Sequence, residues 1–160
     1  MIVSNTTPLI NFAAIRRLDI LESLFGTITI PPAVAYELLD RGQEYPSSLE
    51  IQRATFIRKQ EIQNVLLRDS LTIDLDSGEA EAITLALEQK ADLLLLDEVT
   101  GRMKAEAYGL TFVGSIGCLI EAKRRAIVPA IKPFLDEMRQ EARFWINPRL
   151  YAKILREQNE

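Results

Sequence analysis

Met1-Ile2-Val3-Ser4-Asn5-Thr6-Thr7-Pro8-Leu9-Ile10 is the stretch that decides the fold. Its β-branched apolar opening reads as a short buried strand over residues 1–5. A polar cluster follows directly, in which Thr6 or Thr7 can cap a helix that carries Pro8 in its first turn. Residue 5 therefore stands at the carboxyl end of a strand. In open α/β sheets that end borders the crevice where ligands bind.

The same alternation continues outward. Residues 7–14 and 18–25 read as helical, and Thr27-Ile28-Thr29-Ile30 as a second strand stopped by Pro31-Pro32. Prolines are tolerated at a helix start, so a helix is expected from 32 to about 41, with Gly42 ending it. Residues 46–54 suggest a short helix, 55–57 a weak strand and 63–68 another helix. Asp76-Ser77-Gly78-Glu79 opens a strong helix, with Ser77 as candidate cap and Glu79 in the first turn, where the helix dipole favours an acid. Leu93-Leu94-Leu95-Leu96 is too short for a helix and suits a strand buried on both faces. A helix over 99–108 with Gly109 at its C-cap, a strand over 111–113 and a helix over 116–125 follow. Helices from about 128 to 143 and from 148 to 158 finish the chain. This order predicts α/β architecture: a three-layer α/β/α sandwich with a four- or five-stranded, mostly parallel sheet, in a single domain over 1–160.

The composition narrows the chemistry. The chain has 160 residues, 48% of them hydrophobic, enough for an ample core. It holds no histidine and one cysteine, which removes Ser-His-Asp and Cys-His triads and zinc sites built on imidazole or thiolate clusters. Cys118 reads as a small core residue. What remains for hydrolysis is carboxylate, a ligand for hard cations such as Mg²⁺ or Mn²⁺. The net charge of −4 argues against whole-surface binding of nucleic acid, though not against a local basic face. Apolar runs are too short for a membrane span, and the N-terminus lacks a basic region before an apolar one, so a cytoplasmic protein is expected.

Acids recur at element ends. Glu37 has mostly apolar neighbours one turn away, which puts it near a buried face, either as a helix-margin acid or as a metal ligand. Glu79 and Glu81 open their helix, where acids suit the dipole in any protein. Asp97-Glu98 directly follows the Leu93–Leu96 strand, at the ligand-binding edge of the sheet or as a loop acid capping the next helix. If they converge, such carboxylates need a divalent cation to stay ionised together, and that cation can polarise a phosphoryl oxygen without any histidine base.

Those positions resemble the PIN-domain nucleases, in particular the toxin half of VapBC-type toxin–antitoxin pairs and a PIN-like branch known mainly as a domain of unknown function. Residues 2–10 look like the family's opening block, with its first aspartate falling on Asn5. Pro31-Pro32-Ala33-Val34-Ala35-Tyr36-Glu37-Leu38 resembles the second block, with the acid at Glu37. Leu75-Asp76-Ser77-Gly78-Glu79-Ala80-Glu81-Ala82-Ile83 is similar to the third, with Glu79 best placed and Glu81 in reserve. Leu94-Leu95-Leu96-Asp97-Glu98 through Gly101-Arg102 resembles the fourth, where Asp97 or Glu98 takes the last acidic place.

The resemblance implies a Mg²⁺- or Mn²⁺-dependent endoribonuclease with a small antitoxin partner. Glu37, Glu79 and Asp97 would be catalytic, and Asn5, Glu37, Glu79, Asp97 and Glu98 the metal ligands. It further implies a homodimer, for which Leu18, Leu21 and Leu24 could supply an apolar patch. Thr6, Arg102 and Lys104 are candidate RNA contacts, and Lys123-Arg124-Arg125 is either part of that surface or a solvated helix end. Phe144 and Trp145 are expected to pack the last helices. Asn5 keeps a carbonyl oxygen for a cation but lacks the charge. With an effective dielectric near 20, a charge about 4 Å away is worth roughly 4 kcal/mol, or up to about a thousandfold in affinity. A natural inactive member, a weakly active one and an engineered silent one all fit, and a binding module that has lost catalysis is the alternative to the nuclease.

Overall fold

The computed structural model describes residues 1–40 and 47–160. Its centre is a five-stranded sheet, all parallel, in which the first strand lies in the middle. The strands are β1 (Ile2–Ser4), β2 (Ile28–Ile30), β3 (Ile57–Lys59), β4 (Leu93–Leu95) and β5 (Phe112–Val113), in the order β3-β2-β1-β4-β5. The expected pairing of the first strand with the leucine strand holds, with Ile2 opposite Leu93 and Ser4 opposite Leu95. The order reverses at β1, which makes its carboxyl end a topological switch point.

Among the described residues ten α-helices flank the sheet: α1 (Thr6–Ala14), α2 (Leu18–Phe25), α3 (Pro32–Ala35), α4 (Ser47–Arg53), α5 (Val65–Leu71), α6 (Ser77–Glu88), α7 (Val99–Ala107), α8 (Ser115–Arg124), α9 (Lys132–Glu141) and α10 (Pro148–Glu157). The weak strand expected at 55–57 sits two residues later, as β3. The expected end of the α3 helix at Arg41 and Gly42 lies outside the described residues. What is described there differs from a plain α-helix: α3 is one turn long and continues as a wider π turn over Tyr36–Asp40. The helix expected from about 128 starts only at Lys132. Pro129 lacks the N–H a helix interior needs, whereas Pro133 is accommodated in the first turn of α9.

Side chains alternate along each strand, so the leucine strand serves both layers. Leu95 joins the core formed with α1, α2, α8 and α9, while Leu94 and Leu96 join that of α6 and α7. Leu18, Leu21 and Leu24 are 7%, 0% and 6% exposed, packed where α2 meets α1 and α8. The apolar patch expected there for a dimer is thus core, because an amphipathic helix does not reveal whether its own chain covers it. Cys118 is fully buried, as expected, and burial pushes its thiol up to about 12. Phe144 packs on the core, but Trp145 is 75% exposed, contrary to expectation. No helix among the described residues is long and apolar enough to cross a membrane.

Candidate metal and nuclease site

Three consecutive residues at the β1–α1 junction reach acids far away in the chain. Asn5 begins α1 as its N-cap but makes no side-chain cap bond. Its Nδ2 donates instead to Glu98 Oε2 at 3.1 Å. The Thr6 hydroxyl donates to Glu37 Oε2, and the Thr7 hydroxyl to Glu98 Oε1. The threonines therefore position acids rather than cap the helix. Thr6 is also buried, with its hydroxyl given to Glu37.

Glu37 lies in the π turn, at a half-buried position. A wider turn shifts a side chain relative to regular α-helical phase, and such turns often mark functional sites. Here the carboxylate lies against the opening of α6, where a Cβ added at Gly78 would meet Glu37 Oε1 at 2.8 Å. Glycine leaves room there for the Glu37 carboxylate in the position it takes. Gly78→Ala is expected to destabilise the protein by about 1 kcal/mol in urea unfolding, although helix propensity alone would give a gain of about that size. A measured gain would mean that Glu37 swings aside at no cost.

Glu79 is 6% exposed. Asp76, rather than Ser77, caps α6: Asp76 Oδ1 accepts from the Glu79 backbone N–H at 2.8 Å, and Glu79 Oε2 accepts from that of Asp76 at 3.2 Å, a capping box. Glu79 Oε1 is buried with no hydrogen-bond partner, and so is Asn5 Oδ1. Burial, then the negative charges of Asp76, Glu98 and Glu37, push the Glu79 carboxyl up to about 7, against the backbone bond from Asp76. A Cβ added at Gly101 in α7 would meet Glu79 Oε1 at 2.8 Å, and Glu98 is the N-cap of that helix, so Glu37, Glu79 and Glu98 gather near the carboxyl ends of β1 and β4.

Asp97 and Glu98 part company. Asp97 continues the alternation of Leu95 and points to the α1 and α8 layer. There its Oδ1 accepts the Ser115 N–H at 2.8 Å and its Oδ2 the Ser115 hydroxyl at 2.6 Å. Asn11 Nδ2 adds a bond at 3.3 Å, and Arg102 pairs with Oδ1 at 3.5 Å. Burial raises the Asp97 pKa, opposed by the Ser115 bonds and by Arg102. Both its oxygens are bonded on the α8 side, while those of Glu98 are bonded to Asn5 and Thr7 on the α1 side. Asn11 and Ser115 escaped the sequence reading; the signal was a polar Asn11 amid the apolar residues of α1, where it is 2% exposed.

Glu81 also has another task. Its Oε2 accepts the Ala33 backbone N–H at the start of α3 at 2.7 Å, and its Oε1 pairs with Arg68 at 3.2 Å. The expected RNA contacts are similarly engaged. Arg102 Nε donates to Leu96 O at 2.8 Å, and Lys104 pairs with Asp74 at 2.6 Å. Lys123 bonds Gln158 O and Glu160, while Arg124 and Arg125 both bond Glu121. α8 starts beside the cleft at Ser115, and ten residues carry its end roughly 15 Å away. The basic triplet is therefore a helix end remote from the acids.

The arrangement has a recognisable relative. A family model described as a PIN domain matches residues 1–160. The chain belongs to the PIN-domain family. The PIN domain is a nuclease-type fold, and its five parallel strands between helical layers are those described above. No curated protein gives a match to this chain.

PIN nucleases generally use divalent metals, which makes the donor set a test of fit. Among the described residues no group of three or more acids is arranged to hold an ion as the side chains stand. The donor chemistry nevertheless suits a hard cation: carboxylate and amide oxygens without sulfur or imidazole, including two buried acceptors with no partner. To hold such an ion, Glu98 would have to turn from Asn5 and Thr7, and Glu37 from contacts that include the Thr6 hydroxyl.

Proposed function

We propose that this PIN domain is a Mg²⁺- or Mn²⁺-dependent endoribonuclease, the toxin of a toxin–antitoxin pair, with activity lowered by Asn5. What supports this reading is the gathering of acids at the switch point of the sheet: Glu98 accepts from Asn5, Glu37 from Thr6, and Asn5 and Glu79 each keep a buried oxygen without a hydrogen-bond partner. Glu37, Glu79 and Glu98 would hold the ion, with Asn5 Oδ1 as a neutral fourth ligand. Asp97, first in line from the sequence, would position Arg102 and the start of α8 instead. A bound divalent cation supplies Lewis-acid polarisation of a phosphoryl oxygen and a readily deprotonated water. The raised Glu79 pKa belongs to the metal-free protein, and a cation held there would favour its ionised form.

The substrate would be an RNA that reaches these acids, and the antitoxin a small protein. A homodimer would need a surface other than Leu18, Leu21 and Leu24. One observation favours a second reading, a scaffold without catalysis: the Asn5 amide already occupies Glu98. Cleavage of a structured RNA by this chain and its Asn5→Asp variant, with Mn²⁺, with Mg²⁺ and with chelator, separates the two. The nuclease reading expects metal-dependent cleavage that rises at least tenfold in Asn5→Asp. An inert Asn5→Asp variant that still binds the metal would favour the scaffold.

A further inference from the structure

The Asn5-Thr6-Thr7 segment gives each of two acids a donor before any cation does. Glu98 is held from both sides, by Asn5 Nδ2 at 3.1 Å on Oε2 and by the Thr7 hydroxyl on Oε1. Glu37 is held by the Thr6 hydroxyl. The amide of Asn5 must present its nitrogen to Glu98, because its carbonyl oxygen there would oppose a carboxylate. The residue is 2% exposed, so water cannot readily replace that bond. The donors also sit at the first turn of the nine-residue α1, whose positive dipole end favours negative charge.

We infer that Asn5 is a positioning residue that stands in for the cation: its amide holds Glu98 in place and keeps the acid cleft folded without metal, at the expense of metal affinity. An aspartate at this position could offer Glu98 no hydrogen. It would set a fourth carboxylate beside Glu98, near Glu79, and only a cation would relieve the repulsion. The inference rests on the reading of this cleft as a cation site, but it concerns stability and affinity rather than RNA cleavage.

Thermal unfolding of the whole chain in chelator and in Mn²⁺, with calorimetric titration of Mn²⁺, tests it. With Mn²⁺ kept below the parent's Kd, the chain itself is expected to melt within about 1 °C in the two conditions, because little of it is loaded. Asn5→Asp is expected to melt about 4 °C or more lower in chelator, a loss of the size that a broken buried bond gives in a chain of this length. Mn²⁺ should restore it, with a Kd at least tenfold below that of the parent. Glu98→Gln supplies the control that ties the effect to one pair. In that background the aspartate at 5 regains a donor, and its penalty in chelator should vanish.

Equal melting of Asn5→Asp and parent in chelator would overturn the inference. So would a penalty that persists undiminished with Glu98→Gln, since position 5 would then act through something other than Glu98. If Asn5→Asp does not fold in chelator, the Asn5→Asp, Glu98→Gln double variant decides alone: folding supports the inference, and failure to fold overturns it. Failure of the nuclease reading looks different, as tight Mn²⁺ binding by Asn5→Asp with no RNA cut under any condition.

Discussion

Raising the pH from about 5 to about 8 is expected to weaken the metal-free protein by about 2–3 kcal/mol, and Glu79→Gln to remove most of that loss. The sign follows from the direction of the shift. Burial and the neighbouring acids raise the Glu79 carboxyl from its ordinary 4.5 to about 7. The folded state then holds its proton more tightly than the unfolded state does. Its favourable contribution is complete below about 4.5 and is lost as the pH climbs through about 7. At about 1.4 kcal/mol per unit the full shift would be worth somewhat over 3 kcal/mol, and relaxation around the cleft reduces it. Asp97 is raised as well and acts in the same direction. Glu121, held down to about 2 by Arg124 and Arg125, works the opposite way, and its window lies below 4.5. Urea unfolding in chelator at half-unit steps reads the effect. A flat profile in the parent, or an equal slope in Glu79→Gln, would remove Glu79 as its source.

The frame of the fold was legible because it rests on local patterns. The β-branched start, the Leu93–Leu96 run and the prolines at 31 and 32 each demand one kind of element, and strands separated by helices can hardly pair other than in parallel. The candidate site followed from the same patterns, because acids expected at the carboxyl ends of parallel strands point to the switch point of the sheet. Finer assignments failed wherever a partner distant in sequence decides. Glu79 and Glu81 lie two residues apart on one helix, yet Glu81 serves Ala33, 48 positions away. Nothing local to α6 announces that. Leu18, Leu21 and Leu24 form an apolar face in either case, and only the docking of α8 decides between core and interface. Arg102 and Lys104 carried the charge expected of an RNA surface, but Asp97 and Asp74 already engage them. Asn5 is the instructive case. Sequence comparison makes it a missing carboxylate, whereas its geometry makes it a donor to Glu98.

Asp97 and Glu98 are adjacent in sequence, and their alanine variants are expected to fail in opposite ways. Asp97→Ala should cost about 3 kcal/mol in urea unfolding, with Mn²⁺ affinity in an Asn5→Asp background changed by less than about threefold. The Asp97 side chain is 7% exposed and gathers the Ser115 N–H and hydroxyl, Asn11 and Arg102. Its removal leaves the first N–H of α8 and part of a guanidinium without acceptors, and buried donors left unmet cost about 1–3 kcal/mol, more when charged. Glu98→Ala should cost under about 1 kcal/mol in the metal-free protein, because it also relieves repulsion on Glu79. The same change should weaken Mn²⁺ binding at least tenfold by withdrawing a charged ligand. Asparagine at 97 sharpens the contrast: it keeps the shape and an acceptor, so part of the lost stability should return, while glutamine at 98 should not return the lost affinity. Strand periodicity is what separates two acids that the sequence leaves equivalent. The side chain in phase with Leu95 turns toward α8 and stabilises the scaffold, and the next residue, at the start of α7, faces Asn5 and the cleft. A tenfold loss of Mn²⁺ affinity in Asp97→Ala, with the fold intact, would return Asp97 to the ligand set.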